Sequence, residues 1–166
     1  MRHIRLFCIC LFTLSTLMLS SCAQAEDSLL VAGWVEKVTV FTDSPQDGIQ
    51  MSAKLDTGAK TSSLHAVDIK VDKAHKRVKF VYVNEDGKRY NIEAPFAREV
   101  KIKKRPKGIH IRPVVYLNIK IGEKTIKAEV NLTDRSHFNY HLLIGRRLLQ
   151  QGILVDSSRT FILPHE

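Results

Sequence analysis

One short segment of the sequence holds residues that could perform acid–base chemistry. Asp56, Thr57 and Gly58 directly follow the apolar, strand-like run "IQMSAKL". Two carboxylates that share one proton can both remove and donate protons during the hydrolysis of a peptide bond. Thr57 can hydrogen-bond a facing loop, and Gly58 lets two backbones approach closely. The same triplet is also common in turns, and taken alone it is more simply interpreted as a turn.

A second segment supplies another strand end and a helix, about 90 residues later in the chain. In "HLLIGRRLL", residues 141–149, an apolar strand ends at Gly145. The pattern of residues 144–153 predicts one short helix, which Gly152 is placed to end. No other part of the sequence predicts a sustained helix.

The other segments predict short strands that are separated by turns. Turn-forming residues predict three hairpins, at 84–87, 105–108 and 122–124. Residues 88–96 and 99–104 are predicted as separate strands, and residues 153–164 as one or two more. Many short strands at close spacing predict an all-β barrel or sandwich, in one domain that covers residues 30–166.

The composition fits a basic, globular domain. The 166 residues are 44% hydrophobic and 26% charged, which suits a single core, and the formal net charge is +9. A basic domain could attract nucleic acid, anionic lipid or acidic peptide. The densest basic run, residues 101–107, alternates as a solvated strand face would, and it has no aromatic residues for stacking on bases. We therefore expect no nucleic-acid partner.

The N-terminal residues predict export from the cytoplasm. Arg2 and Arg5 precede an uncharged apolar run, so residues 1–21 are expected to be a signal peptide. "LSSC" ends at Cys22 and is similar to a lipobox, whereas "AQA" at residues 23–25 fits an ordinary cleavage site. We favour lipidation of Cys22, with residues 22–29 as a tether and the outer membrane as the site of anchoring. A soluble periplasmic protein is the alternative.

The two motifs together resemble the retroviral-type aspartic peptidases. Their half-site is Asp-Thr-Gly-Ala, here residues 56–59, followed later by apolar residues, Gly and Arg, here residues 142–146. A closer resemblance is to the bacterial retropepsin-like peptidases, a group often labelled ATP-dependent zinc proteases. That resemblance includes "DTGAKTSSLHA", "RPVV" at residues 112–115 and "LTDR" at residues 132–135, in this order.

The resemblance implies a small closed barrel of the acid-protease type, with one short C-terminal helix. It implies an aspartic endopeptidase that acts on peptides or proteins without a cofactor, with Asp56 as the catalytic carboxylate. The residues that would support it lie in the two motifs, and they are Thr57, Gly58, Ala59, Ile144, Gly145 and Arg146. Because the chain has one such motif, we expect a homodimer in which two copies of Asp56 face each other.

Two other functions remain open from the sequence. One is a non-catalytic module of the cell envelope that binds peptides or dimerises. The other is a zinc-dependent protease. The sequence has no His-Glu-x-x-His motif, and His137 and His141 are its only close pair of histidines.

Three further residue groups are catalytic candidates by residue type. Ser63 and His65 share a strand face, but nothing in the sequence orients the histidine as a base. Asp134, beside Arg135, and Asp156 are predicted to be turn or ion-pair residues, because no glycine follows them.

Overall fold

The protein is an all-β fold with one short α-helix, as predicted. The computed structural model describes residues 29–104 and 108–164. In chain order these residues form β1 Leu30–Gly33, β2 Val35–Phe41, β3 Ile49–Asp56, β4 Ser62–His65, β5 Val67–Asp72, β6 Arg77–Val83, β7 Arg89–Lys104, β8 Gly108–Ile121, β9 Lys124–Thr133, β10 Leu142–Gly145, α1 Arg146–Leu149 and β11 Ile153–Asp156. The predicted signal peptide, Cys22 and most of the predicted tether lie outside the described residues.

Six strands pair into a closed ring. The order is β2, β3, β10, β4, β9 and β8, and β8 pairs back to β2. The sheet continues from β8 through β7, β6 and β5. Phe80 and Tyr82, on β6, are buried in the same core as Leu117 and Ile144 of the ring. β1 and β11 form a separate, parallel two-stranded sheet.

Alternation along each strand explains how the ring holds its core. In β3, Met51, Ala53 and Leu55 are buried and the residues between them are partly or fully exposed. Successive side chains of a strand point to opposite faces, so Asp56 lies on the face opposite to Leu55. The catalytic candidate is thereby kept out of the apolar interior at the end of a strand that the core fixes.

β10 lies between β3 and β4, which are the two strands joined by the Asp56 loop. It runs parallel to β3, with Gly145 opposite Asp56, and antiparallel to β4, with Leu143 opposite Ser63. The two sequence motifs are therefore neighbours in space, although they are distant in the chain.

The three predicted hairpins are confirmed by the pairs β6–β7, β7–β8 and β8–β9. Residues 88–96 and 99–104 were predicted as separate strands, and this was wrong: β7 is one strand that shifts register between Phe96 and Arg98. Such an irregularity bends a strand without ending it. The β7–β8 hairpin extends past the ring, because β9 pairs with β8 only from Val114 onward.

The helix is shorter than the sequence predicts. Ile144 and Gly145 belong to β10, and α1 covers only Arg146–Leu149, because pairing with β3 and β4 holds residues 142–145 extended. Gly152 has a φ of +83°, which is the left-handed conformation expected of a glycine after a helix. After β11, residues 157–164 form no further strand.

None of the described helices has the length and apolar content needed to cross a lipid bilayer.

Candidate active site

The Asp56 loop combines a turn with an accessible carboxylate. The Oδ1 atom of Asp56 accepts hydrogen bonds from the backbone N–H groups of Gly58 at 2.9 Å and Ala59 at 3.3 Å. The N–H of Ala59 also lies 3.2 Å from the carbonyl oxygen of Asp56, which closes the turn. The Oδ2 atom has no hydrogen-bond partner among the described residues. The segment is therefore a turn in which one carboxylate oxygen of Asp56 is fixed, while the other has no partner among the described residues.

The beginning of α1 holds this loop in place. The carbonyl oxygens of four consecutive residues, 57–60, all accept hydrogen bonds from Arg146 or Arg147. Nη1 of Arg146 donates to the first two at 2.9 Å each, and the two backbone N–H groups donate to the last two at 2.9 and 3.2 Å. The first N–H groups of a helix have no partner inside it, so the loop and the helix satisfy each other.

Gly145 is the position where two backbones come closest. A Cβ atom placed on Gly145 would lie 2.6–2.9 Å from three backbone atoms of Thr61. Within the described residues, the same addition at Gly58 would meet only an oxygen of the Asp56 side chain, at 3.2 Å. The close approach assigned to Gly58 from the sequence stays a prediction, whereas the crowding at Gly145 arises where β10 passes the segment that enters β4.

A buried amide connects this region to β8. Asn131, on β9, accepts hydrogen bonds at Oδ1 from Oγ of Ser63 at 3.1 Å and from Nη1 of Arg112 at 3.2 Å. Its Nδ2 donates to the carbonyl oxygen of Ser62. The Oγ atom of Ser62 in turn accepts from the N–H of Gly145 at 3.2 Å. A continuous set of contacts therefore leads from the strand end beside Asp56 to a guanidinium on the β7–β8 hairpin.

Arg135, which is buried, interacts electrostatically with the partly buried Arg112 and with Asp56. The Nε and Nη2 atoms of Arg135 donate to the carbonyl oxygen of Tyr140 at 3.3 Å each, and the guanidinium lies 4.4 Å from the ring centre of Phe138. Burial and then the charge of Arg112 lower the pKa of Arg135, and the charge of Asp56 opposes them. Burial lowers the pKa of Arg112 as well.

Among the described residues, neither arginine has a direct ion-pair partner. The salt bridges among the described residues include neither Arg112 nor Arg135. Taking a cation out of water without a counter-charge is costly, and two neighbouring cations add their mutual repulsion. Such an arrangement is typical of a site that binds an anionic group.

His65 and Ser63 bond to different partners. The Nδ1 atom of His65 accepts the backbone N–H of Arg135 at 2.9 Å, and its ring centre lies 4.6 Å from that of His141. Burial and then the charge of His141 lower the pKa of His65, against an opposing contribution from Asp134. The fold therefore orients the histidine, contrary to the expectation from the sequence. Because the hydroxyl of Ser63 bonds to Asn131, the two residues do not form a nucleophile–base pair.

The other two aspartates are turn residues, as predicted. Asp134 accepts the N–H of Ser136 at 2.9 Å, although its charged neighbour is His65, at 3.4 Å, rather than Arg135. Hydrogen bonds from Ser158, supported by Arg159, lower the pKa of Asp156 to about 2. In the portion of the chain that the structure describes, His, Cys, Asp and Glu side chains form no group of three that could hold a metal ion.

Three residues of this region had no binding role assigned from the sequence. "RPVV" contains Arg112 and was used only as a matching motif, and Arg135 of "LTDR" was considered only as a neighbour of Asp134. Asn131 carried a weaker signal, as an amide within the apolar run that ends β9. A buried polar residue in a core strand predicts a hydrogen-bond network, but the sequence does not name its partners.

A ring of strands that places an Asp-Thr-Gly turn beside a Gly-Arg strand end defines the class of retropepsin-like aspartic peptidase folds. The model of the RimB-like family, described as retropepsin-like aspartic endopeptidase RimB, matches residues 31–166. The chain belongs to this family.

Individual relatives carry two kinds of description. Proteins named probable alpha-L-glutamate ligase, from Shewanella halifaxensis and Shewanella pealeana, are 32% and 31% identical over 118 residues, which is 68% of this chain and 26% of each relative. The chain thus spans about a quarter of the length of the curated relatives it matches. A crystal structure of a Legionella pneumophila protein of unknown function (DUF785) is 39% identical, with a TM-score of 0.68, over 81% of this chain and 98% of that one.

Proposed function

We propose that the protein is an aspartic endopeptidase, in which Asp56 of one copy and Asp56 of a second copy share a proton and activate one water. The observation that supports this most is the geometry of the Asp56 carboxylate. One oxygen is fixed by two backbone N–H groups of its own loop, and the other has no partner among the described residues. Each chain offers one such carboxylate, so a twofold dimer completes the pair.

The proposed reaction needs only the two carboxylates and water. The ionised carboxylate takes a proton from the water as its oxygen attacks the carbonyl carbon of the scissile peptide bond. The protonated carboxylic acid gives its proton to the carbonyl oxygen, and a tetrahedral diol forms. The diol then collapses: the protonated carboxyl gives its proton to the leaving nitrogen as the C–N bond breaks, one diol hydroxyl gives its proton back to the carboxylate pair, and the carboxyl product is released. The pair ends with one shared proton, as it began.

Rigidity of the loop suits this chemistry. Proton transfer requires donor and acceptor within hydrogen-bond reach, and small displacements lower the rate strongly. The four loop carbonyls that Arg146 and Arg147 hold leave the Asp56 turn little freedom to move. The supporting roles of Ile144, Gly145 and Arg146 belong to this proposal.

We further propose that the substrate is acidic. Arg112 and Arg135 place two partly or fully buried positive charges near Asp56, with no ion-pair partner among the described residues. The curated relatives are named glutamate ligases, and a peptide rich in glutamate would supply the missing negative charge. The net charge of +9 would also attract such a peptide over longer distances.

The test compares the cleavage of two peptides, hexaglutamate and a hexaglutamine of equal length, by the full chain. We expect the wild type to cleave the glutamate peptide faster, and Asp56→Asn to lose about 10²-fold or more of the rate, since the base is removed. Asp156→Asn is the matched control, because this aspartate is bonded within its own turn by Ser158 and Arg159. Mass spectrometry of the products gives the rates.

Two results would contradict the proposal. One is a wild type that cleaves neither peptide from acidic to neutral pH, which would favour a binding or dimerisation module. The other is an Asp56→Asn variant with the activity of the wild type. If a chelator abolishes the cleavage and zinc restores it, the alternative of a zinc-dependent protease replaces the aspartic mechanism.

A further inference from the structure

We propose that Asn131 is a positioning residue, which holds the guanidinium of Arg112 toward the substrate without neutralising its charge. The inference rests on the proposed function, because it assigns Arg112 to the binding of an acidic peptide. It concerns a residue that would not touch the substrate itself.

The hydrogen bonds of Asn131 allow one orientation of its amide. Two donors, Oγ of Ser63 and Nη1 of Arg112, point to Oδ1, at 3.1 and 3.2 Å. On the other side, the carbonyl oxygen of Ser62 can only accept, and Nδ2 donates to it. A flipped amide would place its NH₂ group against two donors and its oxygen against an acceptor. With 5% of its surface exposed, Asn131 has little room for other rotamers.

The same contacts connect Arg112 to the framework of the Asp56 loop. Ser62 and Ser63 belong to β4, the strand that leaves this loop, and Ser62 also accepts the N–H of Gly145. Arg112 lies on the part of β8 that extends beyond its pairing with β9. Asn131 therefore fixes the side chain of Arg112, on the β7–β8 hairpin, relative to β4, the strand that follows the Asp56 loop.

Arg112 keeps donors for a ligand. Its guanidinium has five N–H groups, and only the bond to Asn131 is made to a described residue. A planar guanidinium that is already oriented loses less conformational freedom when it binds a carboxylate. The neutral amide is the important feature, because a carboxylate at position 131 would cancel the charge of Arg112 and would place its second oxygen against the carbonyl oxygen of Ser62.

Asn131→Asp tests this, since it keeps the size and the oxygen that accepts from Arg112, adds a negative charge and loses the hydrogen bond to Ser62, a loss that the control below shares in kind. Binding of hexaglutamate is measured by calorimetry in an Asp56→Asn background, so that cleavage does not interfere. We expect Asn131→Asp to weaken binding by about tenfold, the equivalent of one lost charge-assisted contact. The effect should vanish when Arg112→Gln is already present, because there is then no charge to cancel.

Asn118→Asp is the matched control. Asn118 is also a partly buried amide, and its Nδ2 donates to the carbonyl oxygen of Thr42 at 2.6 Å. It lies on β8, six residues from Arg112 and therefore about 20 Å away along the strand. We expect this variant to bind hexaglutamate like the parent, apart from a small effect of net charge. Circular dichroism and thermal unfolding show whether each variant is folded.

Ser63→Ala serves if Asn131→Asp does not fold. It removes one of the two donors that orient Asn131 and adds no charge. We expect it to weaken binding less than Asn131→Asp, again only while Arg112 is present. The proposal is overturned if folded variants bind like the parent, if the loss persists with Arg112→Gln, or if the parent binds no hexaglutamate. These results do not depend on turnover, so loss of the proposed peptidase activity alone would leave the inference standing.

Discussion

The role of a single residue in this site depends on which of its polar atoms already have hydrogen-bond partners among the described residues. Asp56 uses one carboxylate oxygen to close its own turn, and the other has no partner among the described residues. Arg112 likewise uses one N–H group to be oriented by Asn131. His65 shows the opposite case, because its Nδ1 accepts a backbone N–H and its ring is buried against His141. It is therefore a structural residue that resists protonation.

The state of His65 predicts how stability depends on pH. Burial and then His141 lower its pKa in the folded protein, while the unfolded chain titrates near pH 6.5. Below about pH 6.5 the unfolded state therefore binds more protons, and the free energy of unfolding falls as the pH falls. The groups that face His65 are His141, Asp134 and Arg135, of which Asp134 alone opposes this effect.

Urea unfolding between about pH 7.5 and pH 5 measures this dependence. We expect the loss of stability on acidification to be smaller in His65→Gln than in the wild type, whatever its absolute stability. His110→Gln is the control, because His110 is exposed on β8, and it should retain the wild-type slope. An unchanged slope in His65→Gln would show that other groups dominate this pH range.

At the scale of elements, the loop after β3 and the helix α1 supply each other's missing backbone hydrogen-bond partners. The loop after β3 has carbonyl oxygens without strand partners, and α1 has N–H groups without helical partners, so each compensates for the other. The contact requires β10 to end where α1 begins, and it requires Gly145 at that point, since any side chain there would collide with the backbone of Thr61. A helix of four residues is sufficient, because tertiary contacts stabilise it rather than its own length.

Gly145→Ala tests the close passage of β10. The added Cβ would lie within 2.9 Å of backbone atoms that cannot move aside as a flexible side chain can. We expect it to lower the free energy of unfolding by about 1–3 kcal/mol, the usual cost of overpacking, and to lower activity by displacing the Asp56 loop. Gly58→Ala should cost less stability, because its nearest neighbour is one side-chain oxygen at 3.2 Å rather than three backbone atoms. Equal destabilisation of the two variants in urea would contradict this assignment.

For the whole molecule, the incomplete site is the decisive feature. One chain supplies one Asp-Thr-Gly loop, so the proposed carboxylate pair requires a second copy. A dimer of this kind has a site that belongs to neither subunit alone. The activity of the dimer should therefore depend on whether both of its chains carry Asp56.

Co-expression of wild-type and Asp56→Asn chains tests this dependence. If equal amounts associate at random, about one quarter of the dimers carry two intact carboxylates, so activity per chain should fall to about a quarter of the wild-type value. Independent subunits would retain about half. Different affinity tags on the two chains allow the mixed dimer to be isolated, and light scattering gives its mass. An active monomer would contradict the proposed site.

Most of the elements could be predicted from the sequence, and most of the contacts around the site could not. Strand periodicity and turn residues located the hairpins, since these depend on neighbours in the chain. The helix was overextended in the prediction, because its first residues have a helical pattern but are held as a strand by β3 and β4. Arg112 and Arg135 were present in recognised motifs and Asn131 was not, and the role of all three depends on how β8, β9 and β4 are registered.

The sequence by itself determined the class of fold and the candidate carboxylate at Asp56, because these follow from local pattern, and from the count of motifs it predicts a second copy of the chain. Only the tertiary structure decided that Arg146 holds the Asp56 loop, that Gly145 marks the close approach and that Asn131 orients Arg112. The physical reason is that these contacts join residues up to 89 positions apart. They depend on strand order and register, which one core selects collectively and no single segment encodes.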